Sequence, residues 1–206
     1  MIGLDAGRRW GILAICCTSL FVVGLDTTIV NVALPTIGEG FRVGTRGLEW
    51  VVNAYTLVLA SLLISSGAVA DRFGRRRVFQ IGLVVFGVAS IACALAPSVE
   101  MLIAARIVQG VGGSMLSPVA LAIVVNVMTD PKERAKAIGV WAAVFGLSMA
   151  AGPIVGGVLI ESFGWRSVFW INVPVILAVL VLTAVFVPSP ERSSRDDSIF
   201  PVSCYW

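Results

Sequence analysis

The 206-residue chain has no histidine and only four cysteines. Cys16, Cys17 and Cys93 fall in apolar stretches and Cys204 in a polar tail, with no spacing that suits a metal ion. A metal site, a histidine base and a disulfide framework are therefore not expected. Charge is scarce as well: acidic and basic residues make up 13% of the chain and balance at +3. That excess gives no basic face for nucleic acid. The sequence offers no nucleophile–base pair and no phosphate-cradling loop, so it provides no catalytic residues, no cofactor site and no sign of an enzyme.

Apolar side chains fill the space that charge leaves. They form 58% of residues, and the mean hydropathy is +0.96, against about 45–50% apolar content in an ordinary soluble domain. Such a chain cannot cover itself with polar surface, so its solvent must be the lipid bilayer. Six windows, near 11–34, 49–70, 78–96, 101–127, 136–160 and 168–187, reach or approach the length of about 20 residues that a spanning helix needs. The first follows Arg8 and Arg9 like a secretory signal, but it is too long for a cleaved segment and five more spans follow. The expected fold is an all-α polytopic membrane protein, a six-helix transmembrane bundle over 1–188. From 189 to 206 the sequence turns polar and proline-interrupted, as expected of a disordered cytoplasmic tail.

The loops predict orientation. Eleven of the fifteen basic residues fall on one side of the six windows: Arg8, Arg9, Arg72, Arg75, Arg76, Arg77, Lys132, Arg134, Lys136, Arg192 and Arg195. Only Arg42, Arg46 and Arg166 fall on the other. The positive-inside rule puts both termini in the cytoplasm of a multi-pass protein of the cell (plasma or inner) membrane. Phe163 and Trp165, in the loop before the sixth window, suit the depth of the lipid headgroups.

The densest charge lies in GAVADRFGRRR at 67–77, with five charges in seven residues. Gly67 and Asp71 share a face at the end of the second helix, and Gly74 suits the left-handed conformation that ends a helix. Asp71 sits at the negative end of the helix dipole and needs a cation or a helix N-terminus as compensation. The cluster is either a solvated topological anchor or a pairing whose breaking acts as a switch.

Two ionisable residues fall at membrane depth, where charge is expensive. Asp26 stands in LDTTIVNVALP at 25–35, and Arg106 in RIVQGVGGS at 106–114. Arg106, Gly110, Gly113 and Ser117 share one helix face, with Gln109 beside it. Arg106 either tunes the protonation of a nearby carboxylate or is a structural cation bonded to backbone carbonyls. Asp26 either bonds the Thr27 or Thr28 hydroxyl, or sits at a broken turn before Pro35, or ionises during a cycle in which burial favours its neutral form. The spacing tips slightly towards a structural role. The fifth window carries GLSMAAGPIVGG at 146–157, whose Gly152 and Gly156 form a small-xxx-small pair for close helix crossing. Pro153 between them removes a backbone hydrogen bond and favours a kink. Gly146 and Gly157 flank a segment that serves either packing or bending.

Taken in order, these segments resemble the signature motifs of the major facilitator superfamily. The stretch 67–78 looks like its loop between helices two and three, 106–114 like its proton-coupling motif, and 146–157 like its exporter motif. The stretch 25–35, with WRSVFWINVP at 165–174, is similar to motifs of the fourteen-helix drug:proton antiporters. The resemblance implies two inverted three-helix repeats forming half of a rocker-type transporter. It implies a cytoplasmic gate at Gly67, Asp71, Arg72, Gly74, Arg75 and Arg76, and proton coupling through Arg106 and Asp26. It also implies packing and a kink at Gly110, Gly113, Gly146, Gly152, Pro153, Gly156 and Gly157.

The function so implied is efflux of hydrophobic or cationic drug-like small molecules, driven by the proton gradient with no cofactor. Fourteen helices need roughly 400 residues, so the resemblance covers an N-terminal half. Transport would then require a second transporter half or a homodimer. The alternatives are a truncated, non-transporting membrane product and an organic-solute permease of the same superfamily, the latter disfavoured by the Gly-Pro motif.

Overall fold

The computed structural model describes residues 6–186, all of it helices and short links. The helices are α1 (Ala6–Phe41), α2 (Thr45–Phe73), α3 (Arg75–Ala94), α4 (Val99–Val127), α5 (Pro131–Phe163), the one-turn α6 (Ser167–Trp170) and α7 (Asn172–Phe186). Among the described residues, six spans are long and apolar enough to cross a membrane, the sixth being α6 and α7 taken together. The tail expected over 189–206, with Arg192, Arg195 and Cys204, lies outside the described residues.

Local chemistry accounts for the boundaries. Ser98 caps α4 by accepting from the Met101 amide at 3.3 Å, and Asp130 caps α5 by accepting from the Lys132 amide at 3.3 Å, with Pro131 in the first turn. Gly74 alone joins α2 to α3 at φ +97°, a conformation that favours glycine. The helices overrun the apolar windows because the backbone ladder continues past the hydrocarbon core. At 36 residues, α1 is about 54 Å long against a core of about 30 Å.

Proline acts differently along the chain. Pro35, Pro118 and Pro153 lie inside α1, α4 and α5, each of which runs on through its proline. The broken turn expected before Pro35 is therefore absent: α1 continues to Phe41. The sixth span does break, at Ile171, where Pro174 cannot donate to the Trp170 carbonyl.

The packing has a twofold pattern. α4 lies between α2 and α3, α1 packs on α5 and α7, and α1 crosses α4 at the centre. Exchanging the first span with the fourth, the second with the fifth and the third with the sixth maps this set of neighbours onto itself. That is the signature of two three-helix repeats. Small residues allow the central crossings: a Cβ on Gly112 would fall 2.6 Å from the Phe86 amide nitrogen, so α3 and α4 touch backbone to backbone. The second and fifth spans stay at the edge, with only 22% and 17% of their most apolar stretches buried.

Two apolar cores fill the bundle. One, around Phe79, Phe86, Leu116 and Ile176, lies towards the arginine-rich end. The other, around Ile29, Leu102, Trp165 and Phe169, lies towards the opposite end. Trp165 is 7% exposed, so it belongs to this core and not to the membrane interface its loop position suggested. It packs on Phe41 and Phe169 at centroid distances of 5.3 and 6.4 Å.

Candidate functional site

The seam between the two cores is polar. Asp26 on α1 and Arg106 on α4 are 0% and 1% exposed, and Arg106 Nη1 donates to Asp26 Oδ2 at 2.6 Å. The other carboxylate oxygen, Oδ1, accepts from Gln109 Nε2 and from Asn172 Nδ2, both at 3.0 Å. Three donors from α4 and α7 therefore converge on one acid of α1. Such charge-assisted bonds are the stronger class, and they are what allows an ionised pair to persist in a dry interior.

Arg106 is held from several sides. Its Nε donates to the Val51 carbonyl of α2 at 3.3 Å and its Nη1 also to Gln109 Oε1 at 2.8 Å. Its guanidinium lies 4.0 Å from the Tyr55 ring centroid and 5.9 Å from that of Phe169, within cation–π range. The Tyr55 hydroxyl is buried near Thr27 yet makes no hydrogen bond of good geometry. Gln109 extends the network to Ser90, whose Oγ accepts at 3.0 Å, and to Cys93, whose thiol donates to Oε1 at 3.6 Å. The hydroxyls of Thr27 and Thr28 donate to carbonyls of their own helix. They are not partners of Asp26, because at i+1 and i+2 they point around the helix and away from it.

The remaining residues singled out from sequence divide by face. Gly110 and Gly113 turn towards α2, where a Cβ would meet the Tyr55 carbonyl at 2.8 Å and the Tyr55 hydroxyl at 3.2 Å. On α5, Ser148, Gly152 and Gly156 are buried; Gly152 sits against Thr28, and a Cβ on Gly156 would meet Ile29 at 2.9 Å. Gly146 and Gly157 meet nothing within 4 Å, and Pro153 is exposed. Spacings of seven and four residues set these three on a separate, open stripe of α5, so they do not pack within this bundle. Gly24 also approaches α5 closely, at Ser148, and had drawn no attention in the sequence.

At the arginine-rich end, Asp71 and Arg75 form a second ion pair: Nε and Nη2 both donate to Oδ1, at 3.0 and 2.8 Å. The Asp71 side chain is 64% exposed. The arginines also tie helix ends together. Arg75 Nη1 donates to the Ala122 carbonyl of α4 and Arg76 Nη2 to the Ala184 carbonyl of α7, while Arg9 pairs with Glu133 of α5 at 2.9 Å. Arg72 rests 5.7 Å from the Phe73 ring, and Gly67 faces open space beside Asp71. Cations are favourable at helix C-termini, so this end is bonded to the bundle as well as basic.

The sequence had nominated Asp26 and Arg106 separately, and the fold joins them. It had not marked Asn172, Tyr55, Ser90 or Cys93. For Asn172 the available signal was a primary amide inside an apolar window.

The model of the Major Facilitator Superfamily matches residues 16–201. The chain is 43% identical over 194 residues to the multidrug resistance protein Stp of Mycobacterium tuberculosis, covering 92% of this chain and 36% of that protein. It is 43% identical over 196 residues to the multidrug efflux pump LfrA of Mycolicibacterium smegmatis, 95% of this chain and 39% of that one. The puromycin resistance protein pur8 of Streptomyces alboniger is 42% identical over 193 residues, with 94% and 38% covered. The chain thus spans well under half the length of these relatives.

Proposed function

This chain belongs to the Major Facilitator Superfamily, and from that premise we propose that it forms the N-terminal half of a proton-coupled exporter of hydrophobic or cationic drug-like compounds. It is a multi-pass membrane protein, and the arginine-rich end with both termini is assigned to the cytoplasm by the distribution of basic loops. The observation that carries the proposal is the buried Asp26–Arg106 pair. An ionisable acid at membrane depth is a functional candidate by default, and a proton taken up by Asp26 would cancel its charge attraction for Arg106, changing how firmly the pair holds α1 to α4.

In this scheme Asp26 takes a proton and its charged bond to Arg106 weakens. Arg106 is not left bare, because the Val51 carbonyl, Gln109 Oε1 and the Tyr55 ring still hold it. Weakening one link between α1 and α4 loosens the centre of the bundle, where the two repeats meet. The open stripe of Gly146, Pro153 and Gly157 and the exposed Asp71 are the surfaces assigned to a facing half, Asp71 with Arg72, Arg75 and Arg76 as its cytoplasmic gate. The similarity to a multidrug resistance protein, a multidrug efflux pump and a puromycin resistance protein supports drug-like substrates.

The test is dye efflux in an efflux-deficient host, with the chain expressed alone and together with the C-terminal portion of LfrA. Expulsion that stops when the proton gradient is collapsed, and that Asp26→Asn abolishes, is the expected result in at least one pairing. Normal membrane insertion without efflux in either pairing would overturn the proposal.

A further inference from the structure

The stretch 165–174 has no part in the scheme above, yet it closes over the proton site. Arg166 donates to the Ala96 carbonyl at the end of α3 at 3.2 Å, and its guanidinium lies 4.3 Å from the Trp165 ring. Trp165 is wedged between Phe41 and Phe169. These contacts fix α6, and the break at Ile171 then turns the first residue of α7 inwards. That residue is Asn172, 1% exposed, with its amide nitrogen 3.0 Å from Asp26 Oδ1.

Two amides donate to the same carboxylate oxygen, but they are not equally free. Gln109 is locked. Its Nε2 also donates to Ser90 Oγ, whose own proton is committed to the Phe86 carbonyl at 2.8 Å. Its Oε1 accepts from Arg106 and from the Cys93 thiol. Reversing the Gln109 amide would set donor against donor at Arg106 and acceptor against acceptor at Asp26. Among the described residues, the Asn172 side chain makes only its bond to Asp26. A primary amide carries a donor and an acceptor on one planar group, so half a turn about the last side-chain bond exchanges them.

We propose that Asn172 is a positioning residue for the proton on Asp26. It offers N–H to the carboxylate, and after turning it offers its oxygen to the O–H of the acid. The step balances simply: an O–H bond of a hydronium ion breaks as one forms to Oδ1, water is left behind, and the site gains one positive charge. The turned amide accepts the new O–H, so neither protonation state leaves Asp26 facing a mismatched partner. The sixth span thereby reads the protonation state of the first. The groups facing Asp26 that also bear on this equilibrium are Arg106 of α4, Tyr55 of α2 and Cys93 of α3. Among the described residues, α5, α6 and α7 carry no titratable group at this depth.

The inference rests on Asp26 being the proton site, and one measurement separates the two claims. The full chain is purified in detergent, and the infrared band of protonated carboxyl groups is followed against pH. The component that Asp26→Asn removes is assigned to Asp26. Asn172→Leu keeps the branching at Cγ but deletes both polar atoms. It is expected to move that component to higher pH by about one unit, because the carboxylate loses a charge-assisted bond and the neutral acid only a weaker one. Asn172→Asp, in which two acids compete for one proton, should move it in the same direction, and Asn172→Gln should restore it towards the native position. A purely structural Asn172 would lower the unfolding temperature and leave the titration where it was. If no component depends on Asp26, the proton site and this inference fall together. If the Asp26 component titrates but neither the Leu nor the Asp variant moves it, the inference alone falls.

Discussion

Two aspartate–arginine pairs sit among the described residues, and they have little in common beyond their atoms. Asp26 and Arg106 are 80 positions apart in sequence, sealed from solvent, and meet three donors and two aromatic rings. Asp71 and Arg75 are four positions apart, sit at the arginine-rich end and share one oxygen with an exposed carboxylate. The first pair depends on the fold for its existence, and the fold depends on it, because a lone charge there has nowhere to go. The second is local and bathed in water, where an ion pair contributes about 0–1 kcal/mol. The lesson is that an ion pair acquires a role from its surroundings. One pair suits storing a proton, the other suits opening and closing at little cost.

The largest expected effect comes from breaking the buried pair on one side. Asp26→Ala leaves Arg106 buried and uncompensated, and should cost roughly 3–5 kcal/mol, the range for removing one partner of a buried pair. Thermal unfolding of the purified chain measures it. Asp26→Ala combined with Arg106→Leu should recover much of that loss, because the orphaned charge leaves with its partner. A double variant no more stable than Asp26→Ala alone would show that Arg106 is held mainly by Val51, Gln109 and Tyr55, and that the pair is secondary.

This difference between the pairs also explains what was legible in the sequence. The spans were, since twenty apolar residues need no tertiary information to be recognised. The need of Asp71 for a cation was too, with four arginines in the next six residues, although which one answers it was not. Asp26 and Arg106 were each conspicuous as charges in apolar surroundings, but nothing along the chain says that α1 crosses α4 at that level. Asn172 went unmarked for another reason: its signal, an amide inside an apolar window, stands two residues before Pro174 and reads as ordinary helix-end chemistry. Trp165 read as a membrane-interface aromatic until packing buried it. Helix ends were the least legible element, since polar first and last turns such as those of α1 and α5 carry no hydrophobic signal.

A gentler change sharpens the contrast. Arg106→Lys keeps the charge but loses the planar fork that reaches Asp26, Gln109 and the Val51 carbonyl together. It should destabilise by about 1–2 kcal/mol, the scale of one or two lost hydrogen bonds. Arg75→Lys, at the exposed pair, should stay within about 0.5 kcal/mol of the native chain. Equal losses in the two variants would mean that burial is not what separates the pairs.

The smallest effect belongs to Asp71 itself, and it bears most on mechanism. A double-mutant cycle of Asp71→Asn and Arg75→Gln should give a coupling of about 0.2–1 kcal/mol, falling as ionic strength rises past about 0.1 M, where the screening length is about 10 Å. In Asp71→Asn alone, insertion and unfolding temperature should barely change, because Arg75 keeps its bond to the Ala122 carbonyl. Placed in a complete transporter, however, Asp71→Asn should slow the transport cycle severalfold, since the exposed carboxylate beside the open Gly67 face is what a second bundle would grip. A weak bond suits that position: it holds the arginine in place while leaving the acid free to exchange partners. Undiminished efflux by Asp71→Asn would reduce the loop to a topological anchor and leave the buried pair as the moving part of this half.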